Sequence, residues 1–136
     1  MKTTLLAAIA VLAFLGATPS SVPSDQRVFE LRTYHTPPGK LDALHARFRD
    51  HSITLLERHG MKVVGFWVPT DAAQGSADTL VYILAHKSRA AATESWAAFR
   101  ADPEWVKVRT ESEKDGPLTT KVESVFMSPT DYSPMK

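Results

Sequence analysis

The stretch Phe29-Glu30-Leu31-Arg32-Thr33-Tyr34, followed at once by Pro37-Pro38-Gly39, constrains this chain more than any other. It reads as a strand delivering the chain into a helix, because neither proline can donate to a ladder and the glycine permits a turn. Side chains alternate along a strand, so Phe29, Leu31 and Thr33 share one face while Glu30, Arg32 and Tyr34 share the other. The apolar face is expected to pack, and the polar face to look away from the helices.

The remaining elements follow from periodicity and punctuation. Leu41, Leu44, Phe48, Leu55 and Leu56 form a helical stripe from Leu41 to about His59, and Gly60 supplies a left-handed cap. Met61 to Pro69 is a strand, Thr70 to Asp78 a loop, and Thr79 to Lys87 a further strand. Ser88 caps a second helix whose packing face is Ala91, Ala92, Trp96 and Phe99. Asp102-Pro103-Glu104 opens a short third helix anchored by Trp105 and Val108. Asp115-Gly116-Pro117 stops it, and Leu118 to Met127 is the last strand. Ser128 to Lys136 reads as a flexible tail.

Strand, helix, strand, strand, helix, strand describes an α+β fold: a ferredoxin-like βαββαβ sandwich, a four-stranded antiparallel sheet with its helices on one face. The third strand is apolar on both sides, Val81, Ile83 and Ala85 on one and Leu80, Tyr82 and Leu84 on the other. A strand with one wet face does not look like that. A second copy packed sheet to sheet is the simplest cover, with Leu80, Tyr82 and Leu84 placed in the seam of a homodimer.

Ahead of the domain, Lys2 precedes an apolar run from Leu5 to Leu15 and then Gly16-Ala17-Thr18-Pro19-Ser20, with no charge between Lys2 and Asp25. That is the layout of a secretory signal peptide, too short to span a bilayer. Residues 1–24 are therefore expected to hold the signal and the start of a linker, cleaved between Ala17 and Ser24, which would place the domain of residues 25–127 in the periplasm or outside the cell. The roughly 110 residues beyond the leader suffice for one core, although about a third of the unfolded-chain surface stays exposed at this size.

Composition removes several classes of function. There is no cysteine, which excludes disulfide scaffolds, thiol enzymes and zinc-thiolate sites. Sixteen basic residues face fifteen acidic ones, with no basic run interleaved with aromatics, so neither nucleic acid nor a membrane surface is expected as a partner. Asparagine is absent, and with it N-glycosylation. His45, His51 and His59 share a helix, but none are three or four residues apart, so no metal is expected. Nothing around His35 or His86 marks a haem pocket, and no cofactor is expected. No phosphate loop or nucleophile elbow occurs.

Glu30-Leu31-Arg32-Thr33-Tyr34 with Pro38-Gly39, Val64-Gly65-Phe66-Trp67, Gly75 before Thr79-Leu80-Val81-Tyr82, Ser88-Arg89 and Asp102-Pro103-Glu104-Trp105 occur in an order that resembles the NIPSNAP family over nearly the whole domain. The resemblance implies the dimeric α+β barrel superfold, in which two ferredoxin-like protomers close their sheets around a shared interior. That superfold includes cofactor-free oxygenases of electron-rich aromatics, haem enzymes and small proteins without known chemistry, so it leaves function open. Better-known family members are mitochondrial and lack an export signal of this kind. The absence of Asn also weakens analogy to oxygenases that orient substrate with that side chain.

The candidate cleft residues are Glu30, Arg32 and Tyr34 on the first strand, Tyr82 and His86 on the third, and Trp67 at the end of the second. A carboxylate, a guanidinium, phenols and an imidazole around an apolar cleft suit a small hydrophobic or aromatic molecule. The competing reading is a structural Glu30–Arg32 pair that holds the fold in register. Trp96, Phe99 and Trp105 read as core. Two functions stay open: a binding or interaction module, and a cofactor-independent enzyme acting on an aromatic or quinone-like substrate.

Overall fold

The computed structural model describes residues 27–136; the expected signal segment lies outside the described residues. In chain order the elements are β1 (Val28–His35), α1 (Leu41–Arg47), a π-helical turn (Phe48–Ser52), α2 (Ile53–Arg58), β2 (Lys62–Trp67), a 3-10 turn (Ala72–Gln74), β3 (Thr79–His86), α3 (Arg89–Ala101), α4 (Pro103–Ser112) and β4 (Lys121–Met127). The four strands form one antiparallel sheet in the order β2-β3-β1-β4. With β3 lying between β1 and β2, this is the ferredoxin-like arrangement.

The local signals act where the sequence places them. At the end of α2, Gly60 takes φ +78 and the Met61 amide returns to the Leu56 carbonyl while the Gly60 amide returns to Glu57, a Schellman closure. The Ser88 hydroxyl accepts from the Ala91 amide at 3.0 Å, and the Asp102 carboxylate accepts from the Glu104 amide at 2.8 Å with Pro103 at the first helical position.

Two boundaries differ from expectation. The helix of residues 41–58 is interrupted by the π turn, in which the Ile53 amide bonds the Phe48 carbonyl, five residues back. At the other end of the chain β4 begins at Lys121, because Leu118 turns into the core and does not join the ladder.

The larger correction concerns the faces of the sheet. Residues opposite each other in an antiparallel ladder share a face. Arg32 opposes Tyr82 and Ser124, Tyr34 opposes Leu80 and Val122, and Glu30 opposes Leu84 and Phe126. Leu80, Tyr82 and Leu84 belong to the core together with Leu41, Leu44, Phe48, Leu55, Leu56 and Phe99. The polar face of β1 therefore lies beneath the helices, and Leu80, Tyr82 and Leu84 are core residues, not seam residues. Burial of the charged pair is tolerable because every charge meets hydrogen-bonding partners, as described below. The face without helices carries Leu31, Thr33, Val81 and Ile83, all half-buried, with Trp67 50% and Val125 54% exposed.

The segment 128–136 has no regular element, yet it runs back beside the sheet. Arg27 Nη1 donates to the Lys136 carbonyl at 2.8 Å, and Thr130, Ser133 and Met135 border one cleft with Phe29, Ile83 and Met127. Phe29 and Ala85, on the face without helices, are buried.

Candidate functional site

Glu30 is the anchor of the site. It is 1% exposed and accepts four hydrogen bonds: from Arg32 Nη1 at 2.6 Å and Ser124 Oγ at 2.7 Å on Oε1, and from Trp96 Nε1 at 2.7 Å and His86 Nε2 at 2.9 Å on Oε2. A carboxylate only accepts, so His86 holds its proton on Nε2; its Nδ1 is buried without a partner. Burial pushes the Glu30 pKa up, but the bonds from His86, Trp96, Ser124 and Arg32 outweigh it and lower it to about 2. The donors come from β1, β3, α3 and β4.

Arg32 is held from the other side. Burial opposes its charge, while the Tyr82 and Tyr34 phenols and the Glu30 carboxylate raise its pKa above the usual arginine value. Its guanidinium lies 4.3 Å from the Trp96 ring centroid and donates through Nη2 to the Tyr34 hydroxyl at 3.2 Å. Tyr82, fully buried, also donates to the Tyr34 oxygen, at 3.0 Å. Burial, then the neighbouring Tyr34, pushes the Tyr82 phenol well above its ordinary pKa, so it stays protonated. The Tyr34 oxygen thus receives two donors. Its own proton is left to point elsewhere.

Tyr34 lines a cavity of about 190 Å³ between the sheet and the helices. Arg32, Tyr34 and Tyr82 belong to its sheet side; Phe48, Ser52 and Leu56 come from the interrupted helix, Trp96, Phe99 and Arg100 from α3, and Trp105, Arg109 and Glu113 from α4 and its end. Arg47 from α1 also lines it, and Glu113 accepts from Arg47 Nη1 at 2.9 Å and Arg109 Nε at 3.3 Å. Four guanidiniums at this cavity face two carboxylates, Glu113 and Glu30 behind it. The site carries excess positive charge.

Of the six residues singled out in the sequence, Arg32, Tyr34 and Tyr82 line this cavity, and Glu30 and His86 stand behind Arg32 as its support. Trp67 is elsewhere. It opposes Val81 on the face without helices, its ring folded over Gly65, where a Cβ would meet Trp67 Cη2 at 2.8 Å. Arg32, Tyr34 and Tyr82 accordingly line a cavity within the chain, on the helix side of its sheet, since the alternation that puts Glu30 inside carries Arg32 and Tyr34 with it.

Sequence reading missed Trp96 and Trp105 as cavity residues, treating them as core, and did not single out Ser52, Arg100 or Arg109. The indole N–H of Trp96 was the available signal, because a buried tryptophan needs an acceptor. Among the described residues no group of three or more His, Asp or Glu side chains is placed to hold a metal ion.

A family model described as NIPSNAP matches residues 29–134. No curated protein matches the chain significantly. Among solved structures, a NIPSNAP family protein of unknown function from Agrobacterium tumefaciens is 26% identical, with 82% of this chain and 96% of that one covered at a TM-score of 0.69. A second NIPSNAP family protein from the same organism is 19% identical, covering 82% and 100% at a TM-score of 0.70. A mutant of SnoaB, a cofactor-independent oxygenase from Streptomyces nogalater, is 12% identical, covering 80% and 98% at 0.51, a likeness of fold alone.

Proposed function

Since the chain belongs to the NIPSNAP family, we propose that it is an exported, homodimeric binding domain that holds a small aromatic or hydrophobic molecule in the cavity between its sheet and helices. One observation carries the binding role. The Tyr34 oxygen accepts from both Arg32 and Tyr82, and no described residue accepts from its own hydroxyl, which leaves that proton for a ligand acceptor. A phenol so arranged, amid the aromatic rings of Phe48, Phe99, Trp96 and Trp105, suits a ligand oxygen carried on an apolar body.

Association is supported by the apolar face that no helix covers, on which Leu31, Val81, Ile83 and Val125 lie together. Export is supported by the leader alone, and sequencing the mature amino terminus after cell fractionation tests it; a full-length cytoplasmic protein would defeat it.

The alternative is an enzyme of the cofactor-independent oxygenase or isomerase type. The fold shared with SnoaB and the Arg32–Tyr34–Tyr82 chain, able to stabilise negative charge on a ligand oxygen, favour it. Binding is preferred because the one carboxylate lining the cavity, Glu113, is already shared by two arginines and no imidazole lines it, so a ready general base is lacking among the described residues. Native mass spectrometry of the purified protein, followed by identification of released compounds, tests the proposal: a bound small molecule lost in Tyr34→Phe supports it, and an empty protein that takes up no aromatic compound defeats it.

A further inference from the structure

Resting on the reading of this cavity as a ligand site, we infer that its ligand is a single-ring aromatic carboxylate with a second oxygen on the ring, the carboxylate meeting Arg100 and Arg109 at the mouth and the ring oxygen meeting Ser52 and Tyr34 at the floor. Exposure gives the cavity its direction. Arg100 and Arg109 are exposed, Arg109 at 64%, and with Trp105 they also border an outer cleft on α4. Ser52, Phe48, Leu56 and Tyr82 are buried. A molecule entering between α3 and α4 meets cations first and neutral hydroxyls last.

Ser52 is the feature that the fold alone does not explain. It is 2% exposed, lines the cavity, and its Oγ has no hydrogen-bond partner. A serine within a helix ordinarily satisfies its hydroxyl on the carbonyl one turn back. Here it closes the π turn, a distortion found mostly as isolated turns and frequently at functional sites. Leaving a buried hydroxyl unpaired costs about 1–3 kcal/mol, which a ligand oxygen would recover. With the Tyr34 proton, the floor offers two donors to one neutral or phenolic oxygen.

Size and charge narrow the class. An engineered cavity of about 150 Å³ accepts benzene, so about 190 Å³ suits one ring with small substituents and falls below the ~300–1,000 Å³ of sites for larger ligands. Arg100 makes no ion pair with a described residue, and Glu113 alone serves both Arg47 and Arg109, so an entering carboxylate finds guanidiniums in excess.

Titration of the full purified protein with para-hydroxybenzoate, benzoate and para-hydroxybenzyl alcohol, read by calorimetry and by the fluorescence of Trp96 and Trp105, tests this. Para-hydroxybenzoate is expected to bind best, with the alcohol and benzoate each weaker by about tenfold, roughly the worth of one good polar contact. Ser52→Ala should narrow the preference over benzoate and Arg109→Gln the preference over the alcohol, Tyr34 and Arg100 keeping the second contact at each end, with melting temperatures close to that of the unmodified protein. Equal binding of the acid and the alcohol, or a preference over benzoate that Ser52→Ala leaves undiminished, overturns the inference. If the probes fail and a neutral compound co-purifies, the inference falls and the cavity reading stands; if nothing binds and nothing co-purifies, both fall.

Discussion

Trp96 on α3 donates its indole N–H to the Glu30 carboxylate of β1 across 2.7 Å, joining helix to sheet through one buried ion. The same indole carries the Arg32 guanidinium over its ring. Glu30, Arg32 and Trp96 therefore act as a unit, with the cavity built on top of them.

Breaking that unit one member at a time should be costly and non-additive. Arg32→Met leaves Glu30 without its cation and should destabilise by roughly 3–5 kcal/mol. Glu30→Gln should also destabilise, because its amide nitrogen would face donors where an oxygen accepted them. In the double variant the losses should fall short of their sum by at least about 1 kcal/mol, measured by urea unfolding. Strict additivity would mean that the pair is uncoupled.

The acid limb of stability should trace Glu30. Its folded pKa of about 2 lies below the ordinary 4.5, so as pH falls the unfolded chain takes up the proton first. Stability is then fully present above about 4.5 and is lost as pH drops toward 2. In Glu30→Gln the decline over that window should be visibly shallower. Unchanged slopes in thermal melts at successive pH values would contradict the assignment.

Substitutions on the two opposite faces of β3 should separate association from folding. Val81→Glu places a charge on the face without helices, opposite Thr33 and Trp67. A folded monomer by circular dichroism and light scattering is the expected result. Leu84→Glu instead buries an unpaired charge in the core and should unfold the protein, at a cost of several kcal/mol. A monomeric unmodified protein would remove the proposed dimer.

Deleting residues 128–136 should uncover Phe29 beside Ile83. A loss of about 1 kcal/mol, a fall of roughly 4–8 °C in Tm for a domain of this size, is expected in scanning calorimetry. An unchanged Tm would show that the tail contributes nothing to stability.

The sequence alone determined the order of elements, the caps at Gly60, Ser88 and Asp102, and the family, because these depend on neighbours within one turn and on short motifs. It also determined that Glu30, Arg32 and Tyr34 share one side of a strand, since alternation is a property of the backbone. It did not determine which side the helices would cover. Alternation defines two faces without ranking them, and a face bearing two charges reads as the wet one until its partners are known. Those partners are Trp96, 66 residues away, His86, 56 away, and Ser124, 94 away. Only tertiary structure brings four donors onto one carboxylate, and that convergence made the polar face the buried one. It also put the cavity under the helices, with Ser52 in a π turn whose spacing differs from an ordinary helix by one residue and whose sequence carries no mark of it.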